Sequence, residues 1–351
     1  MKKVKIRYIG LLPPPIGGVT IHNSRLFQWL QRTDDVSVKM TVLNNVEAEE
    51  NDVEQVGNKF FWLLKRLLFG FKEDIIHYQA SNIYGLFFLV LVKKIHKNFK
   101  LVWSIQGEHI VTIVKNSFFK GMIYNIDKII VANQNIEDDL YSIGMKASNV
   151  TLISPFLMPL IEENPNLLSK YRQKNMKILI FNAYRLEITK NGDDIYGFKT
   201  LINSFNKVNA DTILILLIPS MNREEKEYFQ KELNKLALDK RARIIHIQDE
   251  KNYGWQYISQ SDIFIRPTIT DGDAVSVKEA LCFKIPAVVS DCTYRPNEAI
   301  QFKTNDSDDL ARVVNELIEN YEFEKEKLKN IDFCSKSKGL DFINLYKEMV
   351  I

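Results

Sequence analysis

Three carboxylates, Asp271, Asp273 and Glu279, fall close together in the stretch RPTITDGDAVSVKEALCFKIPAVVSD (266–291). The stretch reads as a strand end, an acidic loop containing Gly272, an amphipathic helix and a second apolar strand. A helix starting near Ala274 aims the amides of Ala274 and Val275 into the loop mouth with the helix dipole behind them, an arrangement that suits an anion. Glu279 then lies roughly 7–8 Å further along the axis. There it can accept hydrogen bonds from vicinal hydroxyls, as a carboxylate does for a ribose. Asp271, back in the loop, can do the same for a second polyol. A diphosphate held between two acidic hydroxyl readers describes a sugar nucleotide. The plainer reading makes Asp273 or Thr270 only the N-cap and Glu279 a solvated face residue.

A second loop, LLPPPIGGVTIHNS (11–24), sets Gly17 and Gly18 between a strand and a helix starting near Thr20. Paired glycines let a backbone approach a ligand closely, and the helix's first N–H groups favour an anion. The same pair also serves a tight strand-to-helix turn. The spacing G-x-G-x-x-G of a dinucleotide fingerprint is absent.

The elements that must carry these loops alternate throughout, which argues for α/β layers with parallel sheets. Strands are expected at 4–12, 36–43, 75–78, 101–105, 128–132 and 150–154, with helices at 20–32, 59–70, 83–95 and 134–143. After the proline-containing stretch 156–166 a new strand series begins, at 176–183, 212–218, 243–247, 263–266 and 287–290. The expected fold is therefore α/β with two doubly wound, Rossmann-like domains, residues 1–165 and 166–335, facing each other across a cleft walled by loops at strand carboxyl ends. A terminal amphipathic helix is expected at 336–351.

The 351 residues, 46% apolar and 26% charged, suit a soluble globular protein, and a net charge of +3 falls well short of a nucleic-acid-binding footprint. The three cysteines show no metal spacing and read as reduced thiols of a cytoplasmic protein. The amino terminus is broken by Lys5, Arg7 and three prolines, so it reads as a strand rather than a signal peptide. The longest apolar run, LFFLVLV (86–92), is far short of the ~20 residues of a spanning helix.

Asp271-x7-Glu279 followed by ALCFKIPAVVSD resembles the E-x7-E signature of retaining glycosyltransferases of family 4, which have the GT-B fold. The likeness takes in Arg266-Pro267, the early glycine pair, VANQNIEDDLYSIG (131–144) and NAYRLEITKNGDDIYGFKTLINSF (182–205). It implies a nucleotide-diphosphate sugar as donor, a glycan or lipid-linked acceptor, a terminal helix (336–351) that packs back across the domain junction, and a role in bacterial capsule, O-antigen or exopolysaccharide synthesis. Carried over position by position, Glu279 holds the donor ribose, Asp271 the sugar hydroxyls, and the amides of Ala274 and Val275 the diphosphate, with Asp273 in the same loop. Arg185 and Lys190, spaced R-x4-K, neutralise the leaving diphosphate; the extra residues 191–196 make Lys199 a weaker alternative to Lys190. Gly17, Gly18, Gln106 and His109 lie on the acceptor side.

Two departures stand out. The first acid is Asp271 rather than Glu, and Gln106 stands where the family often has a His. An amide takes no proton, so a non-catalytic, donor-binding partner subunit is one alternative, and a GT-B nucleotide-sugar epimerase is another. A phosphorylase would bring a pyridoxal-phosphate lysine motif, which is not found. Asp271-Gly272-Asp273 has the lettering of a D-x-D metal site, yet its late position and the Glu279 that completes the x7 pattern argue against a dedicated metal, and no cofactor is expected.

The stretches KFFWLLKRLLFGFK (59–72) and GLFFLVLVKKIHKNFK (85–100) mix large apolar residues with lysines. Such a segment lies in an anionic membrane interface or packs as a core helix with its lysines in water. The second reads first as a core helix; for the first, both readings stay open. Membrane contact would put the protein at the inner face of the membrane.

Overall fold

The computed structural model describes residues 3–14, 17–45, 52–80, 82–106, 117–161, 165–189, 192–208, 211–249, 252–271, 274–334 and 338–350. The chain forms two compact units, one of residues 1–160 with 337–351 and one of residues 161–336.

The first unit runs β1 (Val4–Gly10), α1 (Gly18–Gln31), β2 (Val36–Val42), β3 (Val53–Gln55), α2 (Lys59–Phe69), β4 (Ile75–Gln79), α3 (Ile83–His96), β5 (Lys100–Ile105), α4 (Ser117–Ile123), β6 (Lys128–Val131), α5 (Gln134–Ser142) and β7 (Val150–Leu152). Its seven strands are parallel, in the order β3-β2-β1-β4-β5-β6-β7. β4 is buried along its whole length, as a parallel strand covered on both faces must be. The order reverses between β1 and β4, which opens a crevice at the carboxyl ends of the strands.

The second unit runs β8 (Lys177–Asn182), α6 (Phe198–Phe205), β9 (Thr212–Leu217), α7 (Arg223–Leu233), α8 (Leu238–Arg241), β10 (Ile244–Ile247), α9 (Gly254–Ile258), β11 (Ile263–Arg266), α10 (Val275–Cys282), β12 (Ala287–Ser290), β13 (Ile300–Phe302), α11 (Ser307–Glu319) and α12 (Tyr321–Lys329). Its sheet, also parallel, has the order β10-β9-β8-β11-β12-β13 and reverses between β8 and β11. The two chemistry-bearing stretches of the sequence, after 182 and after 266, thus leave the two strands that flank this reversal.

The terminal helix, α13 (Gly339–Val350), belongs to the first unit. Phe342, Ile343, Leu345 and Tyr346 pack with Ile6, Tyr8, Leu26 and Val38 in one core. This core contains buried polar side chains. His77 meets the Tyr346 hydroxyl through Nδ1 (2.5 Å) and the Ser104 hydroxyl through Nε2 (2.7 Å). His22 meets the Pro155 carbonyl through Nδ1 (2.7 Å). Burial holds both imidazoles neutral. It lowers His22 to about 4 despite the Pro155 bond, and it lowers His77 to about 3 with help from the nearby His22.

The folded pKa values lie below the unfolded value near 6.5, so the unfolded chain binds protons that the fold refuses. The stability is fully present above pH ~6.5 and is lost as pH falls towards 4 and then 3, with a slope of about 1.4 kcal/mol per pH unit for each histidine. Denaturant unfolding at stepped pH should show this acid loss, and His77→Gln should reduce the slope by one proton. An unchanged slope in the double variant His22→Gln/His77→Gln would assign the acid loss to other groups.

Candidate functional site

At the reversal of the second sheet, the loops leaving β8 and β11 are fastened to each other. The Ile269 N–H donates to the Ile195 carbonyl (3.0 Å). The β8 loop passes Arg185 and then turns back on itself: Ile188 bridges antiparallel to Asp194, and the Thr189 N–H donates to the Asp193 carbonyl (2.8 Å). Residues 192–196 are therefore part of a short reversal that returns the chain to α6. Buried Asp194 ends this turn by accepting the Lys199 N–H (2.8 Å) and the Tyr228 hydroxyl (3.1 Å). Gly197 follows at φ 69°, and a Cβ there would stand 1.8 Å from the Pro267 carbonyl oxygen. Only glycine lets the start of α6 press against the β11 loop.

Asp271 is tied down beneath this junction. Its Oδ2 accepts Arg266 Nε (3.0 Å), Arg295 Nη1 (3.0 Å) and the Thr268 hydroxyl (3.2 Å), and its Oδ1 accepts Arg266 Nη2 (3.2 Å). The Asp271 side chain is 9% exposed and that of Arg295 0%. Burial pushes the Asp271 carboxyl up, but the charges and hydrogen bonds of Arg266 and then Arg295 outweigh it and hold it below the ordinary carboxylate range. Arg295 also donates Nε to the Ser290 carbonyl (3.0 Å) and Nη2 to the Thr268 hydroxyl (3.1 Å). Arg266 reaches back to the Asn182 carbonyl at the end of β8 (3.2 Å) and lies 5.2 Å from the centre of the Tyr196 ring. The carboxylate expected to read sugar hydroxyls therefore already serves two guanidinium groups, and the acceptor capacity it has left lies mainly at Oδ1.

Tyr196 marks how closely the two loops converge. Burial pushes its hydroxyl up, Arg266 opposes this, Glu187 and Asp271 add to it, and Arg185 opposes it. Arg185 and Asp271 thus act on one side chain. Arg185 is half exposed, with Glu187 3.9 Å away, as a cation awaiting an anion or a loosely paired surface residue would be. α10 begins at Val275 with Ala274 as its N-cap, and among the described residues no side chain caps it. The plainer reading, in which Thr270 or Asp273 is the N-cap, is corrected here. Glu279 is 5% exposed, so it is not a solvated face residue either.

In the first unit, Gly17 is the N-cap of α1 with extended backbone, and its N–H donates to the Thr20 hydroxyl (3.0 Å). Among the described residues, a Cβ at Gly18 would meet nothing within 4 Å and one at Gly17 only Thr20. Neither glycine is required by a left-handed turn or by packing against the described residues. Gln106 directly follows β5 and is half-buried. Lys190, Asp273 and His109 lie outside the described residues.

Arg295, Thr268, Tyr196 and Gly197 were not singled out from sequence, and Arg266 entered only as part of the motif, with no role. The signal for Arg266 was present: an arginine closing the apolar strand IFIR is buried and must find a partner. Among the described residues, the cluster sets two guanidinium groups against one carboxylate. Asp271→Asn should therefore cost more than Arg295→Met. The first leaves two buried cations without a counter-charge, about 3–5 kcal/mol, whereas the second leaves one matched pair. Urea unfolding of both variants tests this, and an equal or reversed order would refute the charge imbalance.

With this geometry established, the comparisons with known proteins can be set beside it. Residues 165–331 match the family described as glycosyl transferases group 1. The uncharacterized glycosyltransferase MJ1059 of Methanocaldococcus jannaschii is 25% identical over 283 residues, covering 73% of this chain and 67% of that one. A glycosyltransferase from Rickettsia africae superposes with a TM-score of 0.74 at 13% identity, over 100% of this chain and 99% of the other. HepE from Anabaena, in complex with UDP and glucose, superposes with a TM-score of 0.70 at 12% identity, over 99% and 98%. The family match across the second unit, on a two-domain α/β GT-B fold, supports a glycosyltransferase.

Proposed function

We propose that the protein is a retaining, metal-independent glycosyltransferase of family 4 that moves a hexosyl group from a nucleotide-diphosphate sugar to a glycan or lipid-linked acceptor. The setting we infer is the cytoplasmic assembly of bacterial capsule, O-antigen or exopolysaccharide. The observation that carries this reading is the pair of joined loops at the reversal of the second sheet. Together they present Arg185, the Asp271 cluster and an α10 start with Ala274 at its N-cap, all inside the region that matches the family. The Anabaena structure, which holds UDP and glucose, makes the uridine series the first donors to test.

In this reading the amides of Ala274 and Val275 bind the diphosphate, with Asp273 beside them, and Glu279 accepts from the ribose hydroxyls. The bond from the sugar's C1 to the phosphate oxygen breaks, and the acceptor oxygen bonds to C1 on the same face. The leaving phosphate oxygen takes the acceptor's proton, so no protein base is needed and Gln106 is compatible with turnover. Arg185 and Lys190 face the charge that builds on the diphosphate, so they stabilise the transition state more than the ground state. Gly17, Gly18, Gln106 and His109 form the acceptor side.

A thermal-shift panel of nucleoside diphosphates and their sugars, with and without EDTA, tests the donor site. At 100 times its Kd a ligand adds about 2.7 kcal/mol, so one series should raise Tm in both conditions and fail to do so in Glu279→Gln. Arg185→Ala should lower kcat by about 10²–10³ with a smaller change in donor KM. A shift without any hydrolysis or transfer would turn the reading to a donor-binding partner subunit. No shift with any donor would remove the donor site.

A further inference from the structure

The segment 59–72, open between core and surface on sequence grounds, lies mostly at the surface. α2 turns only Trp62, Arg66 and Leu67 towards the first unit. Phe60 (69% exposed), Phe61 (65%), Leu64 (40%) and Leu68 (60%) fall within roughly 100° of arc on the side away from Trp62 and Arg66. α3 runs alongside in the same direction. Trp62 contacts Phe88 near the helix starts, with ring centres 6.4 Å apart, and His96 Nε2 meets the Leu67 carbonyl (2.9 Å) near their ends. α3 buries Leu86, Leu89, Val90 and Val92 but leaves Leu91 and Ile95 exposed. So 83–96 is half core, as expected, and half surface.

The charge around this apolar face has one sign. No acidic residue occurs in 59–72 or 83–100, whereas Lys59, Lys65, Lys72, Lys94, Lys97 and Lys100 are exposed there. At the foot of α2 lies a cavity of about 650 Å³ bordered by Phe69. Its carboxylates, Glu54 and Glu73, are taken by Arg7 and Arg66, and Lys5, Lys39, Lys65 and Lys72 line the remainder. A phenylalanine and leucine stripe bordered by lysines, beside a lysine-lined cavity, fits a surface that is apolar just beneath a layer of phosphates. A second copy of this chain fits poorly, because pairing the face with itself would set lysines against lysines.

We propose that the outer face of α2 and α3 is a docking surface for an anionic lipid bilayer. Phe60, Phe61, Leu64 and Leu68 enter the boundary between headgroups and acyl chains, and the lysine-lined cavity takes lipid phosphates. This rests on the first unit alone and not on the donor-site reading.

Flotation of the full chain with phosphatidylglycerol/phosphatidylcholine vesicles, against phosphatidylcholine alone, tests it. Binding should require the anionic lipid and weaken at least tenfold in about 0.5 M salt, where the Debye length is well below 10 Å. Phe60→Ser/Phe61→Ser/Leu64→Ser/Leu68→Ser should lose binding at least tenfold with Tm and the donor-induced shift retained, because these side chains are exposed. Lys65→Glu/Lys72→Glu should lose the preference for anionic lipid. Soluble glycerol phosphate should compete weakly, since it lacks the apolar layer; full competition would reduce the proposal to a small-anion site and overturn it. Equal binding to both vesicles or to neither would also overturn it. So would a concentration-dependent dimer, seen by light scattering, that the serine variant abolishes.

Discussion

The arrangement of the second unit's loops depends on one carboxylate shared by two buried guanidinium groups. Arg266 ends β11, Arg295 follows β12, and Asp271 lies in the loop between, so the ion pairs tie neighbouring strand ends to one point. Separately, each group would be costly to bury. Together, with Thr268, Ser290 and the Asn182 carbonyl taking the remaining N–H groups, they are satisfied. Such a cluster contributes little net stability compared with apolar packing of the same volume. Its effect is geometric: the backbone before α10 is held where the opposed charges meet. A glutamate at 271 would reach roughly one C–C bond, about 1.5 Å, further. With aspartate the carboxylate stays among the guanidinium groups, which makes position 271 an anchor for the loop first and a candidate ligand reader second.

The backbone contact at Gly197 works with this anchor. The charge cluster positions the β11 loop from below, and the start of α6 presses on Pro267 beside it at a distance that no side chain permits. Asp194 holds the turn ahead of Gly197 by bonding both Lys199 and Tyr228. Arg185 therefore projects from a loop braced at its far end, and a braced cation loses less freedom when an anion arrives.

The strand series was legible because parallel strands buried on both faces are written as apolar runs, such as TILILL and AVVS. The break between two such series was equally legible. β3 (Val-Glu-Gln) and β13 (Ile-Gln-Phe) were not, since, unlike the equally short β7 within VTLIS, they do not lie in a longer apolar run and their pairing is decided by neighbouring strands. The amphipathic sequence of α2 was ambiguous for a different reason. Periodicity reports that a helix has an apolar side, not whether protein lies against it, and the structure turns most of that side outward. At the site, the motif located the loops and the helix start. The partners of Asp271 were hidden because Arg295 is 24 residues away in sequence and meets it only when β11 and β12 pair.

At two places, the outer face of α2 and α3 in the first unit and the Asp271 cluster in the second, positive charge is used in opposite ways. In the second, guanidinium groups lie inside, matched to a carboxylate and to carbonyls, where low polarity makes each contact strong and geometry strict. In the first, ammonium groups stand outside around an apolar stripe, where water and salt weaken each one and only their number counts. Arginine suits the first use because its planar fork meets Asp271 and the backbone at fixed angles. Lysine suits the second because a flexible stem lets a charge follow a surface without fixed geometry. On this argument, the choice of cation at each place distinguishes a cluster of fixed geometry from a face of adaptable charge.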